Sequence, residues 1–319
     1  MPTTFLTLKA LKAYCDNPAN SLEDVVLGRN ITSLNGLFMH STRTNEQFKG
    51  VENWDVSHIK NMKHLFAYSD FNRDISGWDV SRVSDMNSMF RGCTDFDQPI
   101  GNWNVSKVTD MFCMFCVAEK FNQSLDSWDV SQVANMSGMF TGASAFNQPL
   151  NKWNVSNVTA MAEMFFCAYS FNQPLDKWDV SKVTKMQMMF YSADSFNGDI
   201  SCWDVSAVKS MREMFCNAKR FNQPLENWDV SLVTDMDHMF YGAKSFNQPL
   251  NKWYFRENDK ICNSMFEESA MDPENYPWVE RIIKKKADEL RSEPITESFK
   301  AYRNYEDRLK KLFASALTN

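Results

Sequence analysis

Glycine is scarce in this sequence, and several other features are missing altogether. Only 10 of the 319 residues are glycine, against about 7% in an average chain, and the chain has neither a glycine-rich phosphate loop nor a G-x-S-x-G elbow. No run of about 18 apolar residues occurs, which excludes a membrane-spanning helix. The formal net charge of −6 argues against general nucleic-acid binding.

Cysteine is too thinly spread for a secreted disulfide scaffold, with eight residues in a long chain. The first eleven residues place Lys9 inside a short apolar run and lack the basic lead and cleavage site of a secretory signal. We therefore expect reduced thiols and a cytoplasmic location, with export or the cell surface as the alternative.

Phenylalanine, methionine and tryptophan are abundant, and they recur in a repeat of 25 residues. The unit reads W-[DN]-V-S-x-[VI]-x-x-M-x-x-[ML]-F-x-x-[ACS]-x-x-F-[ND]-x-x-[LI]. Its tryptophan column is Trp54, Trp78, Trp103, Trp128, Trp153, Trp178, Trp203, Trp228 and Trp253. A single unit would expose its aromatic face to water, so neighbouring units must stack. The repeat predicts an α/β solenoid of about ten turns.

Two periodicities alternate within a unit. Residues 175–180 alternate as in a short strand, and residues 183–190 place apolar side chains on one face of a short helix or 3₁₀ turn. Ser181 lies between them, where its hydroxyl could cap the helix. Stacked strands about 4.8 Å apart would make a rod of about 45–50 Å.

The segment FNQPLDKWDVSKVTKMQMMF, residues 171–190, resembles the 25–26-residue repeat of bacterial surface proteins, the BspA-like repeats that are common in mycoplasma lipoproteins. The resemblance covers residues 31–266. It implies a leucine-rich-repeat-like solenoid, with adhesion or protein binding as the usual role. A signal or lipid-anchor cysteine, which such surface proteins carry, is not found in this sequence.

Three domains are predicted. Residues 1–30 form an N-terminal helical cap with a helix over Thr4–Tyr14, residues 31–272 form the solenoid, and residues 273–319 form a C-terminal helical cap. A cap is required at each end because the terminal turns would otherwise expose core. The C-terminal cap carries two apolar helical stripes, the first from Val279 to Leu290 and the second from Phe299 to Leu317. As an alternative, these helices bind a partner or make a homo-oligomer.

Two polar columns accompany the core. An acidic column follows the tryptophans at Asp55, Asp79, Asp129, Asp179, Asp204 and Asp229, with Asn104 and Asn154 interposed. Calcium β-rolls neutralise such a column with metal, but they use glycine-rich turns that are missing here. We expect these side chains to cap helices or to accept hydrogen bonds from neighbouring turns. An asparagine ladder from Asn72 to Asn247 is expected to bond the backbone of adjacent turns.

No catalytic, cofactor or metal site is predicted. Cys113 and Cys116 have metal-ligand spacing, but a structural zinc ion needs four ligands, and none of the four histidines shares their unit. Catalytic cysteine chemistry would also need a nearby histidine. We therefore expect the protein not to be an enzyme.

Partner-binding residues are predicted in two sets. The first consists of variable residues on the strand face: Asp126, Lys152, Asp176, Lys177 and Glu226. Their mild acidity favours a basic partner. The second consists of positions on the helix side that become apolar in the middle of the chain: Phe112, Cys116, Val117, Phe166, Tyr169, Met188 and Tyr191. Exposed aromatic and methionine patches are typical of interfaces.

Together these features predict a non-enzymatic protein-binding solenoid that acts as a scaffold or recognition module. The alternative is a surface-exposed or exported adhesin or effector. A metal- or ice-binding array built on the Asp and Ser columns ranks third.

Overall fold

Regular secondary structure is sparse in the part of the chain that the computed structural model describes, residues 2–254 and 263–277. The N-terminal segment contains β1 (Thr3–Phe5), α1 (Leu8–Cys15) and β2 (Val25–Leu27). Short 3₁₀ segments follow at Asn45–Phe48, Val51–Asn53, Asn263–Phe266 and Pro273–Asn275. The C-terminal stripes predicted between Val279 and Leu317 lie outside the described residues.

The N-terminal segment is only partly helical, because β1 and β2 pair in parallel along their whole length. α1 begins after Thr7, whose Oγ1 accepts a hydrogen bond from the backbone N–H of Ala10 at 3.2 Å. The predicted start at Thr4 is therefore wrong, since that residue lies in β1. Leu6, which precedes the helix, is 62% exposed, whereas Leu11 within it is fully buried.

Each repeat is a succession of tight turns. In the repeat that begins at residue 100, bonds that span three residues close turns at Ile100–Trp103, Val105–Val108, Met111–Met114, Cys113–Cys116, Phe115–Ala118 and Ala118–Phe121. The described repeats contain no α-helix. Of the two alternatives predicted for residues 183–190, a short helix is wrong, and the spacing of these bonds is that of the other, a 3₁₀ turn.

Neighbouring repeats are joined through one part of each unit, which we call the methionine segment: the seven residues that start at the column methionine, as in Met111–Val117. Its first, third, fifth and seventh N–H groups donate to carbonyls of the next repeat. Val117 N, for example, donates to Thr141 O at 2.6 Å. Parallel bridges between the residues that precede these segments run from Ser33 to Asp235.

The strand predicted around the tryptophan is absent, because the backbone there closes turns. Trp153 N donates to Leu150 O at 3.0 Å, and its indole Nε1–H donates to Leu125 O of the preceding repeat at 2.9 Å. Parallel pairing between repeats therefore lies in the methionine segment, where a short helix or 3₁₀ turn was predicted.

The predicted aromatic and aliphatic columns form one continuous core, as expected from the repeat. Trp128 and Trp153 stack with ring centroids 6.5 Å apart and planes 2° apart. Phe115 and Phe140 stack at 5.6 Å and 8°. From Trp103 to Trp228, each tryptophan thus stacks on the equivalent ring of the next repeat.

Left-handed backbone explains why these segments are not helical. The third and seventh residues of each methionine segment have positive φ in turn after turn, and fourteen of the positive-φ residues are not glycine. Cys113 has φ of 52° and Val117 has φ of 59°. Such a residue reverses the chain every four residues and turns alternate N–H groups towards the next repeat. For a β-branched residue such as valine, this conformation is an outlier.

Arg43 fastens the N-terminal segment to the first repeat. It is 1% exposed, and its guanidinium donates to five backbone carbonyls without a carboxylate among these partners. They are Cys15, Asn17, Pro18, Asn20 and Gln47, at 2.6–3.3 Å. Burial lowers the pKa of Arg43. Arginine suits this position because its planar fork presents five N–H donors.

The first prediction tests the left-handed positions. Gly142 has φ of +66°, and a Cβ there would find its nearest atom at 3.5 Å, so space alone does not require glycine. Gly142→Ala should lower the free energy of unfolding by about 1–2 kcal/mol through backbone strain. The matched control is Gly77→Ala, where no atom lies within 4 Å and φ is not left-handed. Equal urea midpoints for the two variants would show that the left-handed backbone at Gly142 does not require glycine for stability.

The second prediction concerns Arg43. Arg43→Met should lower the free energy of unfolding by about 3 kcal/mol or more, because buried carbonyls lose their donors. Arg29→Met is the control, since that side chain is 71% exposed and pairs with Asp55 at the surface; it should cost less than about 1 kcal/mol. Urea unfolding measures both, and a loss at Arg43 no larger than at Arg29 would show that the carbonyl cluster does not depend on it.

Candidate interaction surface

The acidic column closes turns within each repeat. Asp179 Oδ1 accepts hydrogen bonds from Ser181 N at 3.1 Å and from Ser181 Oγ at 2.7 Å. Asn104 makes the same pair of bonds with Ser106. The expectation that the column Asp and Ser residues cap a helix is wrong, because no helix follows them. The described residues also contain no group of three or more His, Cys, Asp or Glu side chains placed to hold a metal ion.

The asparagine ladder binds the backbone of the next repeat, as predicted. Asn122 Oδ1 accepts from Asn147 N at 2.9 Å and from Gln148 Nε2 at 3.1 Å. The same backbone bond recurs from Asn45, which accepts from Asn72 N, to Asn247, which accepts from the N–H of Asp272. Because every repeat uses it, this ladder is part of the scaffold.

The first predicted partner set does not lie on a strand face. These residues occupy the turn before each tryptophan, and most of their charges are already paired between repeats. Asp126 forms an ion pair with Lys152, and Glu226 pairs with Lys252 at 3.2 Å. Asp176 accepts a hydrogen bond from the Asn151 amide at 2.8 Å. The acidity predicted for a basic partner is thus largely neutralised within the protein.

Lys177 completes this set. Its side chain is exposed, and its backbone N–H donates to Asn151 Oδ1 at 3.0 Å. Lys177 therefore also lies in an ordered turn between neighbouring repeats.

The second predicted set lies on the face formed by the methionine segments, not on a helix. Phe166 and Tyr191 are both sixth residues of their segments, and their rings stack at 4.7 Å and 9°. Tyr169 lies three residues beyond Phe166 and is 47% exposed. Met188, at the third position of its segment, is half-buried. These residues form the C-terminal part of the predicted patch.

The rest of the set lies two repeats earlier. Phe112 is half-buried, Cys116 is buried and Val117 is 37% exposed. Between the two parts is a repeat whose outward positions are small, with Thr141 and Gly142 at the sixth and seventh places. The residues predicted to form a single patch therefore form two apolar areas, which are separated by a repeat with small outward side chains.

The surface continues towards the N-terminus in residues that sequence reasoning missed. His40 and Tyr68 stack at 4.8 Å and 3°, and the guanidinium of Arg91 lies 5.6 Å from the Tyr68 ring centroid. Gly92 leaves room for that ring, because a Cβ there would lie 2.5 Å from it. Met39 is 41% exposed beside them. Their position in the repeat could have identified them in the sequence, because each is the sixth or seventh residue of its segment.

We call the side chains at the sixth and seventh positions, together with Tyr169, the ridge. Its aromatic members are His40, Tyr68, Phe166, Tyr169, Tyr191 and Tyr241. Tyr241 is held within the protein by a hydrogen bond, since its hydroxyl donates to Glu268 at 2.9 Å. The other positions carry the apolar residues Met39 and Val117, the charged Arg91, and small, amide or thiol side chains. Aromatic rings here are additional to the core, because repeats with Thr141 or Ala67 in the same place stack equally well.

Comparison with known proteins identifies the repeat. Residues 32–135, 123–209 and 171–277 each match the family described as "Mycoplasma protein of unknown function, DUF285". The chain belongs to this family. The match supports the predicted mycoplasma-type repeat and leaves a specifically BspA-like character as a hypothesis. No curated protein has significant similarity to the chain.

One solved structure resembles this DUF285 chain weakly. It is a leucine-rich-repeat protein from Leptospira interrogans, with 8% identity, 89% of this chain and 98% of that chain covered, and a TM-score of 0.21. A likeness at this level does not establish a shared fold. Among the described residues of the chain, no helix is long and apolar enough to span a membrane.

The acidic column of this DUF285 repeat makes its stability depend on pH. Hydrogen bonds from the following serine hydroxyl and N–H lower the pKa of five column aspartates: Asp55, Asp79, Asp129, Asp179 and Asp229. A lowered folded-state pKa stabilises the protein above the unfolded value of about 3.9. That contribution is lost as pH falls through the folded-state values.

The third prediction follows from that sign. Replacing all five aspartates by asparagine keeps the turn acceptor, as Asn104 and Asn154 do naturally, but removes the titration. Between about pH 5 and pH 2.5 the variant should lose less free energy of unfolding than the wild type. Urea unfolding at both pH values measures this. Equal losses in the two proteins would show that the column does not contribute to acid sensitivity.

Proposed function

We propose that this protein is a non-enzymatic binding scaffold, a solenoid of the leucine-rich-repeat type that engages a partner protein through the ridge. Support for the solenoid comes from parallel bridges that continue repeat after repeat and from one unbroken aromatic core. Stacked repeats present long, regular surfaces, and such proteins use them for binding.

The observation that carries the binding role is the aromatic group of Phe166, Tyr169 and Tyr191. The rings of Phe166 and Tyr191 stack with each other at the surface, and Tyr169 is about half exposed. Large apolar side chains in such a place lower solubility unless a partner covers them. Tyrosine is enriched at interface hot spots because its ring adds contact area and its hydroxyl keeps a polar partner.

A non-enzymatic role is supported by the repetition of the polar groups. Catalysis needs a particular group once, in a site of its own, whereas the Asp, Ser and Asn side chains recur in every turn and bond their own scaffold. The ridge and the turn before each tryptophan differ from repeat to repeat, and only the ridge carries exposed aromatic side chains in several repeats. Differences between otherwise equal repeats provide the specificity that recognition requires.

The fourth prediction tests the ridge. Immobilised wild type should retain a partner protein from a lysate of the native organism. The triple variant F166S/Y169S/Y191S should retain at least about tenfold less of that partner. The matched control is D126S/K152S, which alters the turn before the tryptophans and should retain the partner.

Urea midpoints of all three proteins must agree for the comparison to hold, and the ridge side chains are exposed or half-buried, so we expect them to agree. Equal recovery by the triple variant, or loss with the control variant alone, would contradict the assignment of binding to the ridge.

A further inference from the structure

We propose that Cys113 and Cys116 are a dithiol site that reacts with low-molecular-weight disulfides and closes to an intramolecular disulfide. The two residues are the first and last of one β-turn, in which Cys116 N donates to Cys113 O at 3.1 Å. A β-turn brings its end Cα atoms within about 7 Å, and disulfides need about 4.4–6.8 Å. The turn thus places the pair within bridging range with little backbone movement.

The two thiols interact, since hydrogen bonding between them raises the pKa of Cys113 and lowers that of Cys116. Next to them, the following repeat provides space: a Cβ on Gly138 would lie 2.7 Å from Cys113 Sγ. The equivalent positions in other repeats carry Glu163 and Met188, so the sulfur occupies room that most repeats would fill. Gly138 is therefore part of the site.

The pair lies at the edge of the core and not inside it. Cys113 is 7% and Cys116 5% exposed. Cys93, in contrast, is 1% exposed, and its thiol donates to Phe66 O at 3.0 Å. A small disulfide can approach the first pair after slight side-chain motion, whereas Cys93 is enclosed and already engaged.

Hydrogen bonding between the two thiols favours Cys116 as the attacking sulfur. The hydrogen bond from Cys113 lowers the pKa of Cys116 and outweighs the opposing effect of burial, and the Arg91 guanidinium one repeat earlier acts in the same direction. Burial raises the pKa of Cys216 to about 11 and that of Cys15 to about 12. Thiolate is the nucleophile in thiol–disulfide exchange, so Cys116 should react first.

The exchange runs in two balanced steps. The Cys116 thiolate attacks one sulfur of R–S–S–R, forms a mixed disulfide and releases one thiolate, which takes the proton of the Cys113 thiol. The Cys113 sulfur then attacks the Cys116 sulfur and releases the second RS⁻, which takes the proton lost from Cys116. The protein loses two protons and two electrons, and the small disulfide takes them up to become two thiols.

The experiment uses the full-length chain and oxidised glutathione as the probe. After incubation, free thiols are blocked with N-ethylmaleimide, and the masses of tryptic peptides are measured by mass spectrometry. Lys107 and Lys120 bound a peptide that contains both cysteines and no other, and Lys185 and Lys209 bound one that contains only the exposed Cys202. The wild-type 108–120 peptide should lose two hydrogens and take no maleimide.

Single variants separate the roles of the two sulfurs. Cys113→Ser should keep one glutathione on Cys116, because the resolving thiol is gone. Cys116→Ser should take up glutathione at Cys113 at least tenfold more slowly. Arg91→Gln should slow oxidation severalfold, whereas Arg82→Gln, at an exposed position outside the methionine segments, should not.

Two results would overturn the proposal. The first is glutathione on Cys202 while the wild-type 108–120 peptide still takes two maleimides, which would show an unreactive pair. The second is equal adduct formation in the Cys113 and Cys116 variants, which would remove the assigned order. The single variants should have urea midpoints close to that of the wild type. This control shows that a change in thiol reactivity does not come from unfolding.

Discussion

The rest of the structure depends on hydrogen bonds that each methionine segment donates to the next repeat. Alternate N–H groups of one segment donate to carbonyls of the next, as from Met111 to Asn135 and from Phe115 to Met139. An α-helix keeps all such bonds within itself, so a helical segment could not join two repeats. The bonds require a partner repeat on each side, and that requirement forces stacking, aligns the aromatic columns and leaves each end of the stack in need of a cap.

The sequence predicted burial well and local backbone poorly, and the two outcomes have different physical causes. Burial follows from side-chain chemistry, so the columns that contain Trp153 and Phe140 could be read directly. Backbone direction here depends on left-handed residues, and glycine is the usual sign of them. At Cys113, Val117 and Met188 the left-handed residue is not glycine, and an apolar spacing of three then looks like a helix.

The same cause limited the prediction of the surface. Phe166, Tyr191 and Tyr169 were found because they depart from polar neighbours in the aligned columns, and such a departure is visible in sequence. His40 was missed because it precedes Trp54, the first column tryptophan, and Tyr68 was missed because it lies in the repeat from Trp54 to Trp78, which has 24 residues instead of 25. Their stacking is a property of the register between repeats, and the tryptophan column that shows this register begins only at Trp54, after His40.

A repeat protein separates structure from function by position, and the region from Cys113 to Gly142 illustrates how. Structural groups must recur in every turn, because each interface between repeats has the same polar atoms to satisfy. Chemistry can therefore change only where the recurring bonds do not need the side chain. The left-handed positions meet that condition, since their backbone bonds persist whether the residue is Gly138, Glu163 or Met188. Glycine at such a place frees space for the preceding repeat, and Cys113 and Tyr68 both use space of this kind. Variation in side-chain size along this face thus shapes the surface without disturbing the stack beneath it.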